Sequence, residues 1–161
     1  MVERKGNAVK AIVAGGLLAG GLDLTQALIL FGRRVPLSIA AGLLGRAAFR
    51  GGAGTYALGV FLHFLIAFSA AAVYYAASRK LTFLTDHPLV CGLLFGAAVE
   101  EVMNLGVLPL SALQARGPYE LRDLILGLLV HMITVGLPIS FSVWRFANVD
   151  SRLSRVTSRP A

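Results

Sequence analysis

The chain has 161 residues, of which 57% are hydrophobic and 14% are charged, and its formal net charge is +7. A soluble domain has about 25% charged residues, and one of this length cannot bury so much apolar surface. The composition therefore indicates a membrane protein. The basic residues flank apolar runs, as membrane anchors do, so the charge does not point to nucleic acid. The single cysteine, Cys91, excludes an intrachain disulfide.

Four apolar stretches are long enough to cross a hydrocarbon core of about 30 Å at about 1.5 Å per residue. We predict a single integral membrane domain over residues 1–161, an all-α bundle of four transmembrane helices. Pro138 predicts a kink in the last helix. A basic tail, residues 147–161, follows the bundle. The predicted spans are about 9–31, 55–78, 88–110 and 121–146.

Residues 36–50 lie between the first two spans and have an amphipathic pattern. Apolar residues occupy one face, Arg46 and Arg50 lie on another, and the glycine-rich run 51–54 follows. The segment is too short to cross the membrane, so we predict an interfacial helix or one that re-enters the bilayer part-way. The two arginines would contact lipid head groups or belong to a movable lid hinged at the glycines.

The distribution of Lys and Arg predicts the orientation, because cytoplasmic loops carry the excess of basic residues. With the N-terminus inside, the inner segments hold nine basic residues and the outer segments six, so both termini are predicted to be cytoplasmic. The nine are Arg4, Lys5, Lys10, Arg79, Lys80, Arg145, Arg152, Arg155 and Arg159, and the six are Arg33, Arg34, Arg46, Arg50, Arg116 and Arg122.

Each predicted span carries an ionisable residue in its interior: Asp23, His63, Glu100 and His131. Such a side chain is costly inside a bilayer unless it is paired or faces a cavity, so it is a default candidate for a functional site. Counted from the outer ends of the spans, the four lie about 12 to 15 Å deep, on faces rich in small residues. We predict that they converge in the bundle interior, with Asn104 on the same face as Glu100.

Two further patterns concern how the spans are related. Glu101 lies about 100° from Glu100 around its helix, so we place it at a helix seam or a subunit contact. Spans 1 and 3 both contain GLLxG followed by an acid, and spans 2 and 4 both contain LGxxxH. This predicts a possible tandem repeat of helical hairpins, a geometry that some transporters use.

The chemistry of the four residues leaves several readings open. His63, His131, Asp23 and Glu100 could bind a metal ion such as zinc, iron, manganese or nickel. No compact motif such as H-E-x-x-H is present, so this reading depends on convergence in three dimensions. Proton binding is the second reading, because histidine titrates near neutral pH and buried acids hold protons. Haem ligation by the two histidines, or hydrogen bonds that only fix the helices, are the others.

Several runs of the sequence resemble a family of small four-helix bacterial inner-membrane proteins that are catalogued as hypothetical proteins. The resemblance covers most of residues 10–145 and implies a bacterial inner membrane, but it carries no activity or site. The Glu100–Glu101 pair departs from it, since the family pattern implies a more apolar or aromatic residue there. The runs are GLLGRAAFRGG (42–52), HFLIAFSAAAVYYAASRK (63–80), HPLVCGLLFG (87–96), VMNLGVLPLSA (102–112) and VGLPIS (135–140).

Together these features predict a small transport or ligand-binding protein with a buried site for a metal ion or proton. Its expected partners are membrane lipids and either further copies of the chain or a larger membrane complex, not nucleic acid. One alternative is a non-catalytic accessory subunit, and another is a haem-binding or lipid-modifying intramembrane protein. The sequence leans against an enzyme, because it contains no nucleophile motif and no phosphate-binding loop.

Overall fold

The computed structural model describes residues 3–115, 117 and 120–146, and these residues contain helices and no strand. Four helices in this part of the chain are long and apolar enough to cross a membrane. The all-α, four-span prediction is therefore confirmed. The predicted basic tail, residues 147–161, lies outside the described residues. The helices are α1 (Glu3–Phe31), α2 (Val35–Leu44), α3 (Ala53–Ser78), α4 (Phe83–Asp86), α5 (Pro88–Leu110) and α6 (Leu121–Phe146).

Glycine and proline set the helix boundaries near α2. Gly32 has φ +83° just after α1, and Gly45 has φ +65° just after α2, a conformation that favours glycine at helix C-termini. Pro36 and Pro88 lie in the first turns of α2 and α5, where a missing backbone N–H costs nothing. A short 3₁₀ helix, Gly45–Arg50, connects α2 to the glycines before α3.

The four long helices pack through small residues, as membrane helices do. On α1, Gly16 and Gly20 lie against the rings of Phe68 and Phe64 of α3. Gly15 of α1 approaches Ile139 of α6. Helices α5 and α6 come closest at their glycines, where Gly96 lies against the backbone of α6 and Gly136 against that of α5. The large apolar side chains point outward instead, among them Leu17, Phe61, Leu94, Leu105 and Ile133.

Both α5 and α6 contain a π-helical segment, Met103–Val107 in α5 and Met132–Gly136 in α6. Each segment ends two residues before a proline, Pro109 or Pro138. A proline ring clashes with the carbonyl four residues earlier, and the wider π turn contains that carbonyl in both helices. A wide turn therefore precedes Pro138, where the sequence predicts a kink, and another precedes Pro109.

Helix α2 packs on α3 and its large side chains face outward. Pro36, Ala40 and Ala41 are buried, whereas Leu43 and Leu44 are exposed. Gly59 of α3 lies so close to the backbone of Pro36 that any side chain at 59 would collide with it. Helix α2 therefore covers one end of the bundle, which we call the α2 end. It is the end at which α1 and α5 finish and α3 and α6 begin.

Candidate functional site

A half-open cavity of about 90 Å³ lies between the helices and is lined by residues of α1, α2, α3, α5 and α6. Three of its lining residues are ionisable, Asp23, His63 and His131, and Ile39 is the contribution of α2. The structure thus brings three of the four predicted site residues to one cavity. The volume is large enough for a few water molecules or a small ion, because one water needs about 10–15 Å³ measured in this way.

The fourth residue, Glu100, lies beside the cavity and is paired with His131. Its Oε2 atom is 3.0 Å from His131 Nδ1. Its Oε1 atom accepts a hydrogen bond of 3.0 Å from the Asn104 side-chain amide. Glycine at 127 makes this possible, since a Cβ there would collide with the Glu100 carboxylate. Glu100 is buried, with 8% of its surface exposed, whereas His131 is partly exposed.

The hydrogen bonds of His131 determine which of its nitrogens can change protonation. Nδ1 also lies 3.0 Å from the carbonyl oxygen of Gly127. A carbonyl oxygen only accepts hydrogen bonds, so Nδ1 carries a hydrogen that it shares between Gly127 and Glu100. The other nitrogen, Nε2, is therefore the atom at which His131 can take up a proton.

The same argument applies to His63, in which Nε2 carries the hydrogen and Nδ1 is the other nitrogen. Its Nε2 atom lies 2.8 Å from the carbonyl oxygen of Gly20 on α1. This nitrogen must donate, which leaves Nδ1 as the protonatable atom. The bond also joins α3 to α1 at the level of the cavity. In the second hairpin His131 meets a carboxylate instead, so the two hairpins of the predicted repeat differ in what their histidines contact.

Asp23 is bonded to Thr134 on α6, a residue that the sequence analysis did not select. The Thr134 hydroxyl lies 3.0 Å from Asp23 Oδ1 and 2.9 Å from the Val130 carbonyl oxygen. A hydroxyl has one hydrogen to donate. An ionised Asp23 therefore competes with Val130 for it, whereas a protonated Asp23 can donate to Thr134 while Thr134 donates to Val130. The arrangement accepts both protonation states of Asp23.

Thr134 lies in the π segment of α6, and a sequence signal for that segment exists. The runs MNLGVLP (103–109) and MITVGLP (132–138) share methionine at the first position and Leu-Pro at the last two. Both contain a polar residue at the site, Asn104 in one and Thr134 in the other. Segments of π helix occur often at functional sites. The shared pattern is therefore the sequence signal that identifies Thr134 together with Asn104.

The remaining predicted site residues lie away from the cavity. Arg46 and Arg50 are exposed in the 3₁₀ helix after α2. Glu101 is exposed on α5 and lines a separate groove with Asn104 and Leu105.

The metal and haem readings find no support in this geometry. Within the residues that the structure describes, no group of three or more His, Cys, Asp or Glu side chains could hold a metal ion. A cavity of about 90 Å³ is also far too small for a porphyrin between His63 and His131.

The fold and the site together define the class of protein: a multi-pass helical membrane protein with acids and histidines gathered between its helices. Comparison with protein-family models, with curated proteins and with solved structures finds no match to this chain.

Proposed function

We propose that this chain is a small membrane transport or ligand-binding protein whose buried site binds and releases protons. The proton-binding atoms are His131 Nε2, His63 Nδ1 and the Asp23 carboxyl group. Glu100 acts through His131, because its carboxylate fixes the orientation of the ring and the nitrogen that carries the hydrogen. Asn104 holds Glu100 in place, and Thr134 stabilises Asp23 in either protonation state.

One observation carries the proposal: three groups that can exchange a proton line the same cavity, and each is held by a hydrogen bond that leaves its protonation site free. Here His63 and His131 each use one nitrogen for the backbone and keep the other. Asp23 also lies near enough to His131 to interact with it electrostatically.

We further propose that α2 is the lid of the site. Ile39 of α2 lines the cavity, and α2 is joined to the long helices by short segments that contain Gly32 at one end and Gly51 at the other. Arg46 and Arg50 would sit in the head-group region on the outer face of this lid. A bacterial inner membrane with cytoplasmic termini is the location that the basic residues and the sequence resemblance favour.

The second candidate function is an accessory subunit of a larger membrane complex. The observation that favours it is the exposed carboxylate of Glu101 in the middle of α5, because such a group is costly when it faces lipid. This reading and the proton site are compatible, since the groove at Glu101 and the cavity are separate.

The proposal is tested by infrared titration of the protein reconstituted in liposomes. We expect the carboxylic-acid carbonyl band and the imidazole bands to change as the pH is stepped through the physiological range. Asp23→Asn should remove one carboxyl contribution, and His131→Gln should remove one imidazole contribution. The pH is then changed on one side of the membrane at a time. In a transporter the bands should respond to a change on either side, and in a binding protein to a change on one side only.

Matched controls are available on the same chain. Asp123 and His87 are exposed at the starts of α6 and α5. Asp123→Asn and His87→Gln should leave the buried bands unchanged. Buried bands that do not respond to pH, or that survive in both Asp23→Asn and Glu100→Gln, would rule out a proton site.

A further inference from the structure

An open groove of about 230 Å³ lies between α3, α4 and α5, at the end of the bundle opposite the α2 end. We call it the α4 groove. Two of its lining side chains, Phe83 and Leu94, are more than half exposed, so the groove is open to its surroundings. Its lining is apolar apart from the phenol of Tyr74 and the thiol of Cys91.

Both polar side chains of the groove are bonded to the backbone of α4. The Tyr74 hydroxyl donates to the carbonyl oxygen of Leu84 at 3.0 Å, and the Cys91 thiol donates to that of Phe83 at 3.6 Å. The ring of Phe95 packs edge-on against Tyr74, with the ring centres 4.9 Å apart. These contacts hold α4 against α3 and α5. Because both polar groups of the lining already have a partner, the groove suits an apolar occupant.

The groove begins at the membrane boundary and continues into the apolar layer. Leu94 is six positions after the start of α5 at Pro88, and Tyr74 is four positions before the end of α3 at Ser78. At about 1.5 Å per residue, the groove therefore reaches about 9 Å into the span. Its inner part lies at the level of the acyl chains, and its outer end lies near the head groups.

A pair of basic residues lies at this outer end. Arg79 and Lys80 are in the connection between α3 and α4, and both of these helices line the groove. Both side chains are exposed, and the Arg79 guanidinium lies over the Tyr75 ring, 5.9 Å from its centre. Asp86 is the nearest acid in the sequence, and within the described residues it forms no ion pair with either cation. Two positive charges therefore remain available near the head groups.

We propose that the α4 groove binds one anionic phospholipid, with an acyl chain in the groove and the phosphate at Arg79 and Lys80. A guanidinium can form two parallel hydrogen bonds with a phosphate, and the lysine supplies a second positive charge. The distribution of basic residues predicts that this end is cytoplasmic, and basic residues on that side are attracted to anionic lipid.

Other occupants meet only one of the two requirements. An apolar protein segment would fill the groove but leave both cations without a counter-ion. A zwitterionic lipid would bring an ammonium group of its own to the basic pair. The lipid site lies apart from the cavity of the proton site and does not depend on proton binding.

Native mass spectrometry of the purified full chain in detergent tests the proposal. The probes are dioleoylphosphatidylglycerol, which is anionic, and dioleoylphosphatidylcholine, which has the same acyl chains and no net charge. We expect one molecule of the anionic lipid to bind with a preference of about tenfold or more over the neutral lipid. Glycerol phosphate, an anion without acyl chains, should not displace it.

Charge variants test the role of the basic pair. Arg79→Gln combined with Lys80→Gln should weaken binding of the anionic lipid about 25-fold, because each basic residue near a membrane surface contributes about fivefold. The matched control is Arg33→Gln combined with Arg34→Gln, which removes another exposed basic pair next to a helix end. The control should leave lipid binding unchanged.

A second pair of variants tests the groove itself. Ala77 lines the groove, whereas its neighbour Ala76 is exposed and does not. Ala77→Leu should lower binding of both lipids severalfold, because the larger side chain occupies the space of the acyl chain. Ala76→Leu should bind both lipids normally. Size-exclusion chromatography checks that each variant is folded.

Four results would overturn the lipid site: equal binding of the two lipids, equal losses from the two charge variants, displacement by glycerol phosphate, or normal lipid binding by Ala77→Leu. A second polypeptide that copurifies in constant ratio and blocks lipid binding would also overturn it and would assign the groove to a protein partner.

Discussion

The pair formed by Glu100 and His131 is expected to contribute strongly to the stability of the bundle. Both groups are embedded in a span, and each is satisfied mainly by the other and by a few neighbours on α5 and α6. In lipid, a polar group that loses its partner has no water to replace it. Removal of one member should therefore cost more than removal of both.

The first prediction concerns this pair. Glu100→Met, which keeps the side-chain length but removes the carboxylate, should lower the free energy of unfolding by about 3 kcal/mol, the scale for one lost partner of a buried ion pair. His131→Leu in the same background should recover part of that loss, because it removes the histidine that Glu100→Met leaves without its carboxylate partner. Reversible unfolding in mixed detergent micelles measures the change. If the two single effects simply add, the groups contribute independently and the pair has no special weight.

At the scale of the helices, the contact between α5 and α6 determines the geometry of the site. Gly92 and Gly96 of α5 lie against the backbone of α6, and Gly136 lies against that of α5. This close approach brings Glu100 and His131 to 3.0 Å. The π segments extend the same contact, since Gly136 ends the one in α6.

The second prediction uses a pair of glycines that occupy matching segments. A Cβ at Gly136 would collide with the backbone of Gly92, whereas a Cβ at Gly106 would meet no atom within 4 Å. Gly136→Ala should lower the free energy of unfolding by about 1–3 kcal/mol, because it overpacks the contact. Gly106→Ala should be neutral or stabilise by up to about 1 kcal/mol, the usual advantage of alanine in a helix.

The same unfolding measurements serve for both glycine variants, and the infrared bands of the site add a second observable. We expect Gly136→Ala to alter the imidazole bands of His131 and Gly106→Ala to leave them unchanged. Equal effects of the two substitutions would mean that the helices tolerate a wider separation than the structure indicates.

The sequence predicts the helices well and their contacts only in part. Hydropathy and length identify the spans because lipid requires long apolar helices, and α3 begins within two residues of the predicted boundary. Asp23 and His63 share a helix face with small residues, and this predicts that both side chains point into the bundle. The bond from Thr134 to Asp23 joins residues 111 positions apart, and it depends on the π segment, which changes the rotation of α6. Helical periodicity assumes a regular helix and cannot predict such a contact.

For the molecule as a whole, four spanning helices place the start of α1 and the end of α6 on one side of the membrane. The connection from α3 to α5 lies on that side, and the loop between α5 and α6 lies on the other together with α2. The excess of basic residues on the side where α1 starts, nine against six in the sequence, is the basis for predicting that it is cytoplasmic. The α2 end would then face outward.

The third prediction tests this topology in intact cells with the full chain. In a Cys91→Ala background, Gln114→Cys places a thiol in the loop between α5 and α6, and Lys80→Cys places one in the connection after α3. Both positions are exposed. A membrane-impermeant maleimide should label Gln114→Cys in intact cells and Lys80→Cys only after lysis. The reverse pattern would invert the assigned orientation without changing the fold.

Helix α2 is also joined to the segment just after α5 by a backbone hydrogen bond. The amide of Ala112, just after α5, donates to the carbonyl oxygen of Gly42 on α2 at 2.7 Å. Any outward movement of α2 must break this bond or pull the end of α5 with it. That end follows the π segment that contains Asn104, the residue holding Glu100. Movement of α2 away from the bundle would therefore also pull on the residues that hold His131 in position.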